Sequence, residues 1–155
     1  MELDKDFKEF IELLNEHNVN YLVIGGYAVN FHGYPRYTKD IDFWVWMTKS
    51  NAEKLLLVLK DFGFGSLDFK EEDFLVSDNI IQLGYEPYRI DILMEVDGVD
   101  FESSYENRSV IKIGDLPVNF LGIEELIIAK KQSGRLQDLA DAEQLEKIKN
   151  KKDKT

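Results

Sequence analysis

At 155 residues, 44% hydrophobic and with no cysteine, the chain is long enough for one domain with a real core and has neither a disulfide framework nor a thiolate zinc site. Its net charge of −11, from 30 acidic against 19 basic residues, excludes a broad nucleic-acid-binding surface, which needs clustered Lys and Arg. No apolar run approaches the ~20 residues of a bilayer span, and Glu2, Asp4 and Asp6 replace the basic start of a signal peptide, so a cytoplasmic protein without a membrane segment is expected.

Residues 3–16 predict a helix, because Phe7, Phe10, Ile11 and Leu14 recur at helical spacing opposite Asp4, Lys5, Lys8, Glu9 and Glu12. Tyr21 to Ile24 reads as a buried strand, Tyr27 to His32 as a short helix, Gly33-Tyr34-Pro35 as a turn and Ile41 to Trp46 as a second strand. Ser50 to Phe62 predicts a helix capped by Ser50 or Asn51 and stopped by Gly63. Gly65 to Asp73 reads as loop. Phe74 to Val76, Ile80 to Leu83 and Tyr88 to Met94 are β-like runs, followed by a turn at Asp97-Gly98.

Gly114-Asp115 between Val110–Ile113 and Leu116–Phe120 signals a hairpin. Helices are expected from Gly122 to Lys131 and from Leu136 to Ile148, with Gly134 between them. This order predicts an α/β (α+β) fold: a mixed sheet with helices packed on it and two C-terminal helices. A single domain over residues 1–146 is expected, then a flexible Lys-rich tail over 147–155. The tail reads as a solvated helix end or as a contact for an acidic partner.

The chemistry lies in three places. Asp40 and Asp42 fall on one face of a strand, and two carboxylates that close repel unless a cation sits between them. Hard oxygen donors of this kind suit Mg²⁺. Asp91, in Arg89-Ile90-Asp91-Ile92-Leu93, is an acid inside an apolar run, and it needs a partner there. It pairs with Arg89, sits at an edge, or joins Asp40 and Asp42 if their strands are neighbours. Gly25-Gly26 permits a sharp turn and close backbone approach to a ligand.

Together these residues resemble the DNA polymerase β-like nucleotidyltransferase superfamily: a Gly-Gly turn, Asp-x-Asp on the next strand and a third carboxylate later. The string GGYAVNFHGYPRYTKDID is similar to small bacterial members, including the transferases of abortive-infection and toxin–antitoxin systems. The run LIIAKKQSGRLQDLADAEQL resembles their closing helices, with Lys130, Arg135, Asp138 and Asp141 at matching places. The likeness covers residues 20 to 145. It implies that Asp40, Asp42 and Asp91 are catalytic and hold Mg²⁺ or Mn²⁺. Gly25 and Gly26 would cradle the triphosphate, with Arg36, Thr38 and Lys130 touching phosphates.

The implied activity moves NMP from an NTP, such as ATP, onto a hydroxyl of RNA, a protein or a small molecule. A partner chain would supply what a short chain lacks. Two other readings share the fold: a weakly catalytic or non-catalytic module that binds a nucleotide or partner, and an antibiotic nucleotidyltransferase whose acidic surface suits cationic drugs. Several residues also have purely structural readings. His32 fits a turn. Trp44 and Trp46 either stack on a base or fill space beneath the terminal helices. Lys130 and Arg135 fit helix C-terminal cations, with Asp138 and Asp141 as their ion-pair partners.

Overall fold

A computed structural model describes residues 3–65, 67–85 and 88–154. Helix α1 (Lys5–Glu16) starts where the Asp4 carboxylate accepts a hydrogen bond from the Asp6 N–H at 3.0 Å. It buries Phe7, Phe10, Ile11 and Leu14 in one stripe, each contributing roughly 1.5–3 kcal/mol. Strand β1 (Tyr21–Ile24) is buried at every residue and runs directly into α2 (Gly25–Phe31). Strand β2 (Ile41–Val45), helix α3 (Lys49–Leu59), strands β3 (Ile80–Leu83) and β4 (Ile90–Leu93) and helix α4 (Phe101–Glu106) follow. The hairpin of β5 (Ser109–Ile113) and β6 (Leu116–Phe120) leads to α5 (Ile123–Ser133) and α6 (Leu136–Asp153).

The six strands form one mixed sheet in the order β3-β4-β2-β1-β6-β5. Strand β2 is antiparallel to β1 and parallel to β4, and β6 is parallel to β1. Side chains alternate along β2. Phe43 therefore enters the core under α1, where its ring lies 5.3 Å from that of Phe10 and 5.8 Å from that of Tyr21. Trp44 points the other way, packs edge-on against Phe101 at 5.0 Å and donates its Nε1–H to the Met94 carbonyl at 3.2 Å. Trp46 stacks on the same Phe101 ring. The tryptophans thus fill the space under α4, not under the terminal helices.

Buried Asn51 ties three elements together. Its amide donates to the carbonyls of Asn20 and Trp46 at 3.1 and 2.9 Å and accepts from the Asn20 N–H at 2.9 Å. With that side chain engaged, Thr48 rather than Ser50 or Asn51 caps α3, accepting from the Asn51 N–H at 3.2 Å.

Other boundaries also differ from expectation. Helix α3 stops at Leu59 and widens into one π-type turn over Lys60–Phe64, where Gly63 takes φ 103°. Phe74 ends a 3₁₀ turn (Glu71–Phe74) instead of starting a strand, because only Phe74 of its run is buried while Leu75 and Val76 face solvent. Helix α4 has no counterpart among the expected elements: its six residues are too few to show a period, and the Asp100 side chain starts it by accepting from the Ser103 N–H. Helix α6 runs on through the Lys-rich segment to Asp153. Among the described residues, no helix is long and apolar enough to cross a membrane.

Candidate active site

Parallel pairing of β2 with β4 sets Asp42 directly opposite Asp91 and Ile41 opposite Ile90. Equal register and strand alternation place both carboxylates on one face, and Asp40, two residues before Asp42, joins them. Arg89 lies among these acids. Its Nε donates to Asp91 Oδ1 at 2.7 Å, and its Nη2 reaches Asp91 Oδ2 at 3.0 Å and Asp40 Oδ2 at 3.2 Å. Its backbone N–H donates to Asp40 Oδ1 at 3.3 Å. Of the alternatives open for Asp91, pairing with Arg89 and convergence on Asp42 therefore hold together. Burial pushes the Asp42 carboxyl up to about 7, the neighbouring Asp91 and Asp40 carboxylates add to this, and the Lys130 charge opposes it.

The glycine pair is shaped by this cluster. Gly25 has φ 68°, and a Cβ there would lie 2.3 Å from Asp42 Oδ2. A Cβ on Gly26 would meet Thr38 Oγ1 at 2.7 Å. Thr38 in turn donates to the Asp40 carbonyl at 3.2 Å. The turn at the end of β1 thus lies against the start of β2, and only glycine fits at the first position.

Opposite the strands, α5 and α6 supply a basic wall with its own buried acids. Asp141, fully buried, pairs with Arg36 Nη1 and with Lys130 Nζ at 3.1 Å. Lys130 Nζ also donates to Asp138 Oδ1 at 2.9 Å, and Arg135 Nη2 lies 2.9 Å from Asp138 Oδ2. Burial works to raise the Asp138 carboxyl. Hydrogen bonds from Ser133 and Lys130 and the charges of Lys130 and Arg135 outweigh it and hold that carboxyl below the usual range. Arg36 and Lys130, expected at phosphates, thus line the site with their charges already met by aspartates.

Two cavities meet at Asp42. One, about 760 Å³, is lined by Gly25, Gly26, Arg36, Thr38, Lys39 and Asp40. The other, about 460 Å³, has an apolar floor of Ile24, Leu93, Leu121, Leu126 and Ala129 and carries Asp78, Glu95 and Asp97. Gly25, Asp42, Lys130, Arg135 and Asp138 line both.

The three carboxylates expected as metal ligands converge, yet among the described residues no group of three or more His, Asp or Glu side chains forms a ready-made metal cage. His32 is buried at the end of α2 and donates its Nε2–H to the Leu121 carbonyl at 2.7 Å, a structural tie. In the sequence, Arg89 reads only as a partner of Asp91. Its position two residues before Asp91, on the same strand face, was the signal for a place in the cluster. Asp78, Glu95 and Asp97 carried no such signal, because loops bring them to the cavity.

A mixed sheet with a glycine turn feeding a short helix, acids on the next strand and a third acid on the parallel neighbour defines a nucleotidyltransferase fold. The chain belongs to the family described as "Nucleotidyltransferase of unknown function (DUF6036)", whose model matches residues 1–151. It is similar in fold to a Thermotoga maritima protein assigned as a nucleotidyltransferase (TM1012). There the TM-score is 0.60 at 17% identity, over 94% of this chain and 91% of that one. It is also similar to the lincosamide antibiotic adenylyltransferase LnuA, solved with lincomycin bound. That comparison gives a TM-score of 0.55 at 18% identity, over 94% of this chain and 98% of that one. No curated protein matches the chain.

Proposed function

We propose that this nucleotidyltransferase moves NMP from an NTP to a hydroxyl acceptor in a metal-dependent reaction centred on Asp40, Asp42 and Asp91. One observation carries the reading: Asp42 lies where two cavities meet, beside Asp40 and in register with Asp91 on the parallel neighbouring strand.

The residues fit a hard divalent cation. The donors are carboxylate oxygens, a guanidinium already takes a cation's position between Asp40 and Asp91, and Gly25 leaves open the space beside Asp42 Oδ2 that a Cβ would take. Asp40, Asp42 and Asp91 would hold Mg²⁺ or Mn²⁺, which neutralises phosphate charge and positions the attacking and leaving oxygens.

The larger cavity suits the triphosphate, since it presents Arg36, Lys39, Thr38, Lys130 and the backbone of Gly25-Gly26. The smaller cavity suits the acceptor. The acceptor oxygen bonds to the α-phosphorus as the bond to the bridging oxygen breaks, pyrophosphate leaves, and Asp91 orients the hydroxyl and takes its proton. An apolar floor with Asp78, Glu95 and Asp97 favours a small, uncharged or cationic acceptor over RNA, whose phosphates those acids repel.

ATP is the first donor to test, because LnuA is an adenylyltransferase. The likeness to toxin–antitoxin transferases makes a partner protein the second acceptor to test, and a cytoplasmic site of action supplies both NTP and Mg²⁺. The experiment is transfer from each α-³²P-labelled NTP, with Mg²⁺ or Mn²⁺, to small molecules, lysate protein and total RNA. The Asp40→Asn/Asp42→Asn double variant is the control. Label that depends on the intact pair supports the reading. No label from a folded protein with any donor and acceptor turns it to a binding module.

A further inference from the structure

We propose that Arg89 is the resident counter-ion of the carboxylate cluster, and that a divalent cation binds by displacing its guanidinium from Asp40 and Asp91. The inference rests on the nucleotidyl-transfer reading of the site.

Three features support it. First, Arg89 engages the same atoms a cation would use. Its Nε and Nη2 hold Asp91 Oδ1 and Oδ2 at 2.7 and 3.0 Å, and Nη2 lies 3.2 Å from Asp40 Oδ2. A planar fork bonded to a carboxylate in this way is a strong, oriented contact. Second, a divalent ion on those oxygens would sit within a few ångströms of the guanidinium, and two positive centres that close repel. The site therefore holds one or the other in this place.

Third, the residue is built to stay while its side chain leaves. The backbone is held on both sides of the residue: the Arg89 N–H donates to Asp40 Oδ1 at 3.3 Å, and the Ile41 N–H donates to the Arg89 carbonyl at 3.1 Å. The side chain is 26% exposed and has a route to solvent. The register of Asp42 with Asp91 belongs to backbone pairing that runs from Ile41–Ile90 to Trp44–Leu93, not to the guanidinium. In the metal-free protein the guanidinium limits repulsion among three acids and holds the ends of β2 and β4 together. A divalent cation held by these carboxylates would take over that task.

The test compares wild type with Arg89→Gln and Arg89→Lys. Mn²⁺ binding is read by electron paramagnetic resonance of the free ion, and melting is followed in EDTA and in Mn²⁺. Arg89→Gln should melt lower than wild type in EDTA, gain more from Mn²⁺, and bind Mn²⁺ at least tenfold more tightly. Arg89→Lys, which keeps the charge without the fork, should fall between them. The Arg89 Nε–H resonance of the wild type, followed through an Mg²⁺ titration, provides a readout that needs no variant: it should shift and lose its protection from exchange.

Equal Mn²⁺ affinity in all three proteins, weaker binding by Arg89→Gln, or an unmoved Nε–H at saturating Mg²⁺ overturns the proposal and leaves nucleotidyl transfer standing. No metal binding by any of the proteins, with or without ATP, overturns both. Competition with Mn²⁺ as described, but no transfer from any NTP, upholds the Arg89 role and removes the transfer reading.

Discussion

Gly25 and Asp42 stand so close that a single added methyl group at Gly25 would lie 2.3 Å from the Asp42 Oδ2 atom. The backbone of Gly25 also sits at φ 68°, where a side chain is strained. Gly25→Ala should therefore both destabilise the fold, by about 1–3 kcal/mol, and push the Asp42 carboxylate out of register. Gly26→Ala meets Thr38 instead, its Oγ1 at 2.7 Å and its Cβ at 2.9 Å, so the Thr38 segment must shift, but the Gly26 backbone carries no left-handed strain. The ranking to check by thermal melts and by labelled transfer is Gly25→Ala worse than Gly26→Ala on both counts.

Asp42 is a carboxylate that the fold holds at a cost. It is half-buried beside Asp91 and Asp40, and burial with like charge disfavours its ionised form. Asp42→Asn keeps the shape and removes the charge. It should raise the melting temperature in EDTA while lowering transfer at least about a hundredfold, the loss expected when metal-borne charge stabilisation worth several kcal/mol is removed. A variant that is both less stable and fully active would contradict the assignment.

Asp141 makes the opposite case. It is fully buried and answers two cations, Arg36 and Lys130. Removing one partner of a buried ion pair leaves the other charges uncompensated, at about 3–5 kcal/mol. Asp141→Asn should show a large loss in urea unfolding. Because Arg36 and Lys130 also line the larger cavity, a higher KM for the NTP should accompany it.

His32 supplies a pH-dependent contribution to stability. Burial lowers the affinity of its ring for a proton below the usual value, and the hydrogen bond to the Leu121 carbonyl offsets only part of this. The unfolded chain then binds the proton more readily than the folded one. Its contribution is present above the ordinary value of 6.5 and is lost as pH falls through the lowered, folded value. Melting temperature measured from pH 5 to pH 8 should fall more steeply on the acid side for wild type than for His32→Gln.

Local pattern determined much of this protein. The stripe of Phe7, Phe10, Ile11 and Leu14 is a helix because its period is that of a helix. Tyr21–Ile24 and Ile80–Leu83 are strands at the residues read from their apolar runs. Gly114-Asp115 joins β5 to β6 as its turn chemistry requires. The acids on one strand face and the glycine pair before them were also legible, since strand alternation and glycine's conformational freedom are properties of a few neighbouring residues. The tertiary structure decided the rest. Asp91 faces Asp42 only because β4 pairs with β2, an alignment set by the packing of the whole sheet rather than by residues near either aspartate. The same pairing placed Arg89 between Asp40 and Asp91. The packing of α5 and α6 opposite the strands made two cavities meet at Asp42, one of them with an apolar floor. Contacts between residues far apart in the chain depend on register and packing, and no short stretch of sequence carries that information.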